Sequence, residues 1–183
     1  NYQRLIANTI AGVFDNVNDT KAVATLRNEL IGKIQSALKR VFEDLELSSV
    51  GDPLQNGNFY FTKGTTKNFS YRNLSAGEKS AFDFILDMVV QSKYYPDAIY
   101  CIDEPETHMH TKLQGRVLRE LYLLIPGQSQ LWLSTHSIGM LQEAEEIEKE
   151  HPGTVAFLDF GGRDFDTDQV IRPARIGKAV MDK

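Results

Sequence analysis

Ala98-Ile99-Tyr100-Cys101-Ile102-Asp103-Glu104-Pro105-Glu106 is the stretch whose reading decides the fold. A mostly apolar, β-prone run passes directly into two adjacent carboxylates and a proline. A short continuous run of this kind reads as a strand buried in the middle of a parallel sheet. Pro105, which has no amide hydrogen, cannot continue a central strand, so the strand ends at the acids. Asp103 and Glu104 then fall at the carboxyl edge of a sheet, where open α/β folds bind their ligands. Adjacent residues of an extended chain also point to different sides. One carboxylate can therefore hold a metal ion while its neighbour faces a water. Taken alone, Asp-Glu-Pro is equally well a polar strand end entering a turn; the flanking sequence decides between the two.

Downstream, Glu106 to His110 reads as a loop, and Thr111 opens a helix with Leu113, Val117, Leu121 and Leu124 on one face, stopped by Pro126-Gly127. Gln130 to Ser134 is a second buried strand, and it runs into Thr135-His136-Ser137. Ser137 is placed to cap a helix over Ile138 to Glu150. Two buried apolar runs joined by a helix demand a right-handed crossover between parallel strands. Ile99–Ile102 and Leu131–Ser134 are thus expected side by side, with His136 on the same sheet edge as Asp103 and Glu104. His108 and His110 have no third ligand nearby in sequence and make a weak metal signal. Glu143, Glu145, Glu146, Glu148 and Glu150 read as a solvated helix face. Val155–Phe160 and Gln169–Arg172 suggest a hairpin across Gly161-Gly162. Asp159-Phe160-Gly161 spells the kinase metal motif, but no other kinase motif accompanies it and it is set aside.

Upstream, Asn73 to Ser80 contains Ser75 and Glu78 at the spacing of a capping box, followed by the apolar stripe Phe82, Ile85, Leu86, Val89. The least this implies is a well-capped helix. A helix N-terminus with free backbone N–H groups and a serine hydroxyl is also an anion site, and Gly77 would let a phosphate approach the backbone. Phe59–Thr62 and Asn68–Tyr71 flank Lys63 to Lys67 as a β-hairpin, after turn signals between Ser48 and Gly57. Val23, Leu26, Leu30, Ile34, Leu38, Val41 and Leu45 recur every three or four residues, the pattern of a long amphipathic helix. That stripe is core packing in the first instance and a coiled-coil arm in the sharper reading. Leu5, Ile6, Ile10 and Val13 suggest a further helix before the polar break at Asp15 to Thr20.

The 183 residues suit a single α/β domain with a full core. With 42% hydrophobic and 25% charged residues the composition is that of an ordinary globular protein, and the net charge of -5 gives no support to a broadly basic nucleic-acid surface. Cys101 is the only cysteine; it cannot form an intrachain disulfide, reads as a small buried hydrophobe, and fits a reducing cytoplasm. No segment reaches membrane-spanning length and no signal-peptide pattern opens the chain. Because it begins at Asn1 rather than methionine, the chain reads as a piece of a longer protein.

Leu74-Ser75-Ala76-Gly77-Glu78, then Ile102-Asp103-Glu104-Pro105-Glu106, then Ser134-Thr135-His136 together resemble the signature, Walker B and switch-histidine elements of an ABC-type ATPase head, in that family's order. The wording around Asp103 and His108-Met109-His110 is closer to the OLD-like and RecF/SMC-like branch than to membrane transporters. The resemblance covers Asn68 to Ser137. It implies the C-terminal lobe of an ABC-type P-loop NTPase, a mostly parallel sheet flanked by helices, with β-hairpins. It implies ATP and Mg²⁺ as cofactors, with Asp103 binding the metal through water and Glu104 orienting and deprotonating the attacking water. It makes His136 the γ-phosphate contact. Ser75, Ala76, Gly77 and Glu78 would form the signature that meets ATP held by a second head, with Ser75 far from Glu104 in its own chain.

The phosphate-loop pattern Gly-x-x-x-x-Gly-Lys-Ser/Thr does not occur; Gly32-Lys33 and Gly177-Lys178 both fail it. The family places that loop upstream of the signature, so residues 1–183 are expected to be half of a head, binding nucleotide poorly or not at all alone. The function implied is ATP hydrolysis by a dimerising head coupled to DNA processing or antiphage defence with a nuclease partner. The alternatives are a non-hydrolysing, nucleotide-gated dimerisation module and a RecF/SMC-like DNA repair clamp.

Overall fold

A computed structural model describes residues 3–7, 23–52, 57–158 and Pro173. The elements run α1 (Val23–Val41), β1 (Leu45–Val50), β2 (Phe59–Lys63), β3 (Thr66–Ser70), a 3₁₀ turn at Tyr71–Asn73, α2 (Ala76–Tyr94), β4 (Ile99–Asp103), α3 (Thr111–Leu124), β5 (Gln130–Ser134) and α4 (Ile138–Glu150). A helical segment at residues 3–7 buries Leu5. The rest of the first expected helix, and most of the hairpin expected over Val155–Arg172, lie outside the described residues.

β4 and β5 pair in parallel, with Ile99 opposite Gln130 and Asp103 opposite Ser134. The crossover between them is α3, as two parallel strands require. One expectation for these strands fails. Both alternate between exposed and half-buried along their length. Tyr100, Ile102, Leu131 and Leu133 face the packed interior. Ile99, Cys101 and Trp132 are exposed, so the described elements cover one face of the pair only. Cys101 is accordingly an exposed thiol and not a buried hydrophobe.

The second sheet is antiparallel, in the order β1-β2-β3. The β2–β3 hairpin is where the aromatic alternation placed it. β1 is a correction: Leu45 continues the helical period of α1, but the helix ends at Val41 and Leu45 opens a strand. Leu45 and Leu47 also satisfy a period of two, and pairing Leu47 with Phe61 buries both. The sheet lies over α1 and α2. Phe82 of α2 is the centre of this core, with its ring 4.9 Å from Phe59 and 5.2 Å from Phe61 in edge-on contact. Ile34, Leu38 and Val41 of α1, Ile85 and Leu86 of α2, and Val117 and Leu121 of α3 complete it. A smaller cluster of Leu118, Met140 and Ile147 lies between α3 and α4.

The carboxylates of α4 are less solvated than their spacing suggests. Glu143 and Glu150 both pair with Arg119 of α3. Glu148 accepts the backbone amides of Gly153 at 2.7 Å and Val155 at 2.8 Å, and those bonds hold its carboxyl below the usual range. No helix among the described residues is long and apolar enough to cross a membrane.

Candidate functional site

Asp103 is the last residue of β4, in register with Ser134, whose hydroxyl donates to Asp103 Oδ1. The Glu104 amide carries the pairing one step further, donating to the Ser134 carbonyl at 2.9 Å. The backbone then turns sharply. Glu104 has φ +42°, a left-handed conformation that costs a non-glycine residue about 1–3 kcal/mol and concentrates at functional sites. Thr107 holds the turn closed, its amide and hydroxyl both donating to the Glu104 carbonyl, at 3.2 and 2.9 Å. The turn leaves the Glu104 carboxylate in solvent, 3.9 Å from Nε2 of His136, whose side chain is 91% exposed. Asp103, Glu104 and His136 therefore meet at one sheet edge, at the ends of neighbouring parallel strands.

The two loops that carry these residues are tied together. Glu106 Oε1 accepts the Thr135 hydroxyl at 2.7 Å and the His136 amide at 2.7 Å. The Thr135 hydroxyl oxygen in turn accepts the Ser137 amide at 3.0 Å. Gln114 of α3 makes a second tie, donating to the Met109 carbonyl at 2.9 Å and accepting the Ser137 hydroxyl. Ser137 caps α4 as its position suggests, its hydroxyl accepting the Met140 amide. Sequence reasoning gave Glu106 no role. Its only local signal is a third acid immediately after Pro105.

Ser75 and Glu78 form the expected capping box: Ser75 Oγ accepts the Glu78 amide and Glu78 Oε2 accepts the Ser75 amide. The box leaves the amides of Ala76 and Gly77, which lie at the helix start, unengaged by it. Ser75 and Ala76 are exposed. Glu78 also pairs with Lys63 of β2 at 2.6 Å. Burial works against its ionisation, but Lys63 and Ser75 outweigh that and hold its carboxyl below the usual range. Gly77 has a packing role beside the phosphate-approach reading. It is buried, and a Cβ there would lie 2.5 Å from the carbonyl oxygen of His108. Its missing side chain admits the backbone of the loop after β4, which abuts the first turn of α2.

No group of three or more His, Cys, Asp or Glu side chains that could cage a metal occurs among the described residues. His110 Nδ1 instead accepts the Lys112 amide at the start of α3. Magnesium is commonly held through one or two carboxylates together with waters and substrate phosphates. Asp103, exposed at the strand end, is a carboxylate that could take that role.

Solved structures with this fold include SMC ATPase heads. A chain from structural work on ATP-driven dimerization and DNA-stimulated activation of SMC ATPases superposes with a TM-score of 0.54 at 13% identity, over 79% of this chain and 81% of that one. An SMC head bound to the C-terminal winged-helix domain of ScpA gives a TM-score of 0.57 at 18% identity, over 76% of this chain and 43% of its own. The Pyrococcus furiosus SMC head with an extended coiled coil, bound to the C-terminal domain of ScpA, gives 0.54 at 13%, over 66% of this chain and 31% of its own. The chain thus spans less than half the length of the last two. At these identities the likeness is one of fold, and the fold is that of an SMC-type ATPase head. No match is found among curated proteins. The model of the family described as "AAA domain, putative AbiEii toxin, Type IV TA system" matches residues 7–141, from before α1 to the first turn of α4, and the chain belongs to that family.

Proposed function

We propose that this chain carries the hydrolytic half of an ATPase head that closes on ATP as a dimer. The observation behind this reading is the meeting of Glu104 and His136, 3.9 Å apart, beside Asp103 at the ends of two paired parallel strands. Glu104 is the base: its carboxylate orients a water for attack on the γ-phosphate and takes its proton. His136 donates to the γ-phosphate and so stabilises the charge that develops there. Asp103 would hold a Mg²⁺ ion, which would supply charge neutralisation at the phosphates of the bound nucleotide. Ser75 and the amides of Ala76 and Gly77 meet the nucleotide of a second head at the N-terminus of α2, where Glu78 serves as the capping partner. The phosphate-binding loop, whose pattern does not occur in residues 1–183, comes from elsewhere in the same protein. A link to DNA, with a nuclease partner in DNA processing or antiphage defence, extends this reading. The DNA-stimulated activation named for the SMC ATPases of like fold supports the link to DNA, and the toxin–antitoxin description of the family supports a role in defence.

Glu104→Gln in the full-length protein tests the proposal, because it removes the base and keeps size and hydrogen bonding. ATP binding should persist, hydrolysis should fall about 10²–10⁴-fold, and a dimer seen by mass measurement with ATP and Mg²⁺ should accumulate. Hydrolysis at the wild-type rate would remove Glu104 as the base and leave a nucleotide-gated dimerisation module as the better reading.

A further inference from the structure

We propose that Glu106 is the positioning residue of this site, fixing His136 opposite Glu104 by gripping the backbone of the switch loop. The proposal rests on the ATPase reading above for its kinetic consequence and on geometry alone for the grip. His136 itself is almost wholly exposed, and its imidazole approaches Glu104 at 3.9 Å. Its placement therefore depends on its backbone. The His136 amide is held by Glu106 Oε1 at 2.7 Å, and the same oxygen accepts the neighbouring Thr135 hydroxyl at 2.7 Å. Bonds of this length to a carboxylate are the charge-assisted kind, roughly twice as strong as neutral ones.

The position of Glu106 in the chain makes the grip useful. One residue, the buried Pro105, separates it from the base, and the Glu104 turn is locked by Thr107. A carboxylate anchored so close to Glu104 and bonded to the residue that presents the imidazole sets the spacing of the two reacting groups. The second oxygen, Oε2, is buried and has no hydrogen-bond partner among the described residues. Leaving a buried carboxylate oxygen unpaired is costly. An apolar side chain would avoid that cost but could accept neither donor, so an acceptor at this position is explained by what Oε1 does.

The test uses the full-length protein with Glu106→Gln, Glu106→Ala and His136→Ala, singly and combined. In Glu106→Gln the amide oxygen still accepts both donors, so most of the activity is retained. In Glu106→Ala both donors lose their acceptor; kcat should fall about 10–100-fold, the usual cost of losing a group that orients a reacting one. The KM for ATP should stay where it is. Adding Glu106→Ala to His136→Ala should lower the rate no further, because the two act through one imidazole. A full additional loss, or a Gln variant as slow as the Ala variant, would overturn the proposal.

A second readout does not depend on catalysis. Amide exchange of His136 followed by NMR should be slow in the wild type and in Glu106→Gln, and fast in Glu106→Ala. Equal exchange in all three overturns the grip. A wild-type protein that hydrolyses no ATP would sink the ATPase reading, while the exchange rates would still decide the role of Glu106. Should Glu106→Ala fail to fold, Glu106→Asp takes its place: one methylene shorter, it withdraws the acceptor from both donors and should behave like the alanine variant in both readouts.

Discussion

At Gly77 the absence of one carbon decides how two parts of the site meet. The His108 carbonyl oxygen would lie 2.5 Å from an added Cβ, and the Met109 Cα would be 3.3 Å from it. Both are backbone atoms and cannot swing aside like the end of a side chain. Alanine normally gains about 0.5–1 kcal/mol over glycine inside a helix, whereas forcing atoms into a packed contact costs about 1–3 kcal/mol. The clash should win. Gly77→Ala is expected to lower stability by about 1–2 kcal/mol in urea unfolding; a variant more stable than wild type would show that the loop yields freely. A phosphate-approach role and this packing role both call for glycine, which is why the residue type alone did not separate them.

Among elements, α1 and α3 are joined across their packed faces by an ion pair whose halves differ in burial. Arg40 donates twice to Glu120, at 2.8 and 2.7 Å, and Glu120 is 1% exposed while the Arg40 side chain is half exposed. The two halves of the pair are therefore unequal. Removing Arg40 strands a buried carboxylate, a change of the kind that costs about 3–5 kcal/mol. Glu120→Gln leaves no buried charge, keeps one acceptor oxygen for Arg40 and lets the guanidinium turn to water, so the loss is that of one charged hydrogen bond, about 1.5–3 kcal/mol. Arg40→Ala should thus destabilise more than Glu120→Gln in chemical denaturation, and Arg40→Ala/Glu120→Leu should recover part of the loss. Equal single costs would mean that water reaches Glu120 once Arg40 is gone. Pairs like this explain the limits of the sequence. Helix starts at Ser75 and Ser137 and the stop at Pro126 were legible because a cap acts within a few residues. β1 was not, because Leu45 fits both periods and only pairing with β2 selects the strand. Glu106 was not, because its partners lie 29 and 30 residues away. The acids at the end of β4 were legible because strand, proline and charge stand next to one another.

In the molecule as a whole, the site straddles two hydrophobic clusters of unequal size. Glu104 follows β4, whose inward residues Tyr100 and Ile102 pack on the large core around Phe82. His136 precedes α4, whose Met140 and Ile147 belong to the small cluster with Leu118. α3 contributes to both, Val117 and Leu121 to one and Leu118 to the other. An element held by the smaller cluster should open without the rest, as cooperative subunits of domains do. Two conservative core variants separate the possibilities in native-state hydrogen exchange. Ile85→Val, deep in α2 at 0% exposure, costs about 0.5–1.5 kcal/mol. It should speed exchange in α2 by that amount and leave α4 unchanged, since Ile85 stays packed while α4 alone opens. Met140→Ala should speed exchange in both, because it destabilises the native state relative to either opening, by about 2–5 kcal/mol. If Ile85→Val accelerated α4 and α2 equally, the chain would be one cooperative unit. If α4 does open alone, the opening carries His136 away from Glu104, and the grip of Glu106 on the switch loop is the contact that opposes it.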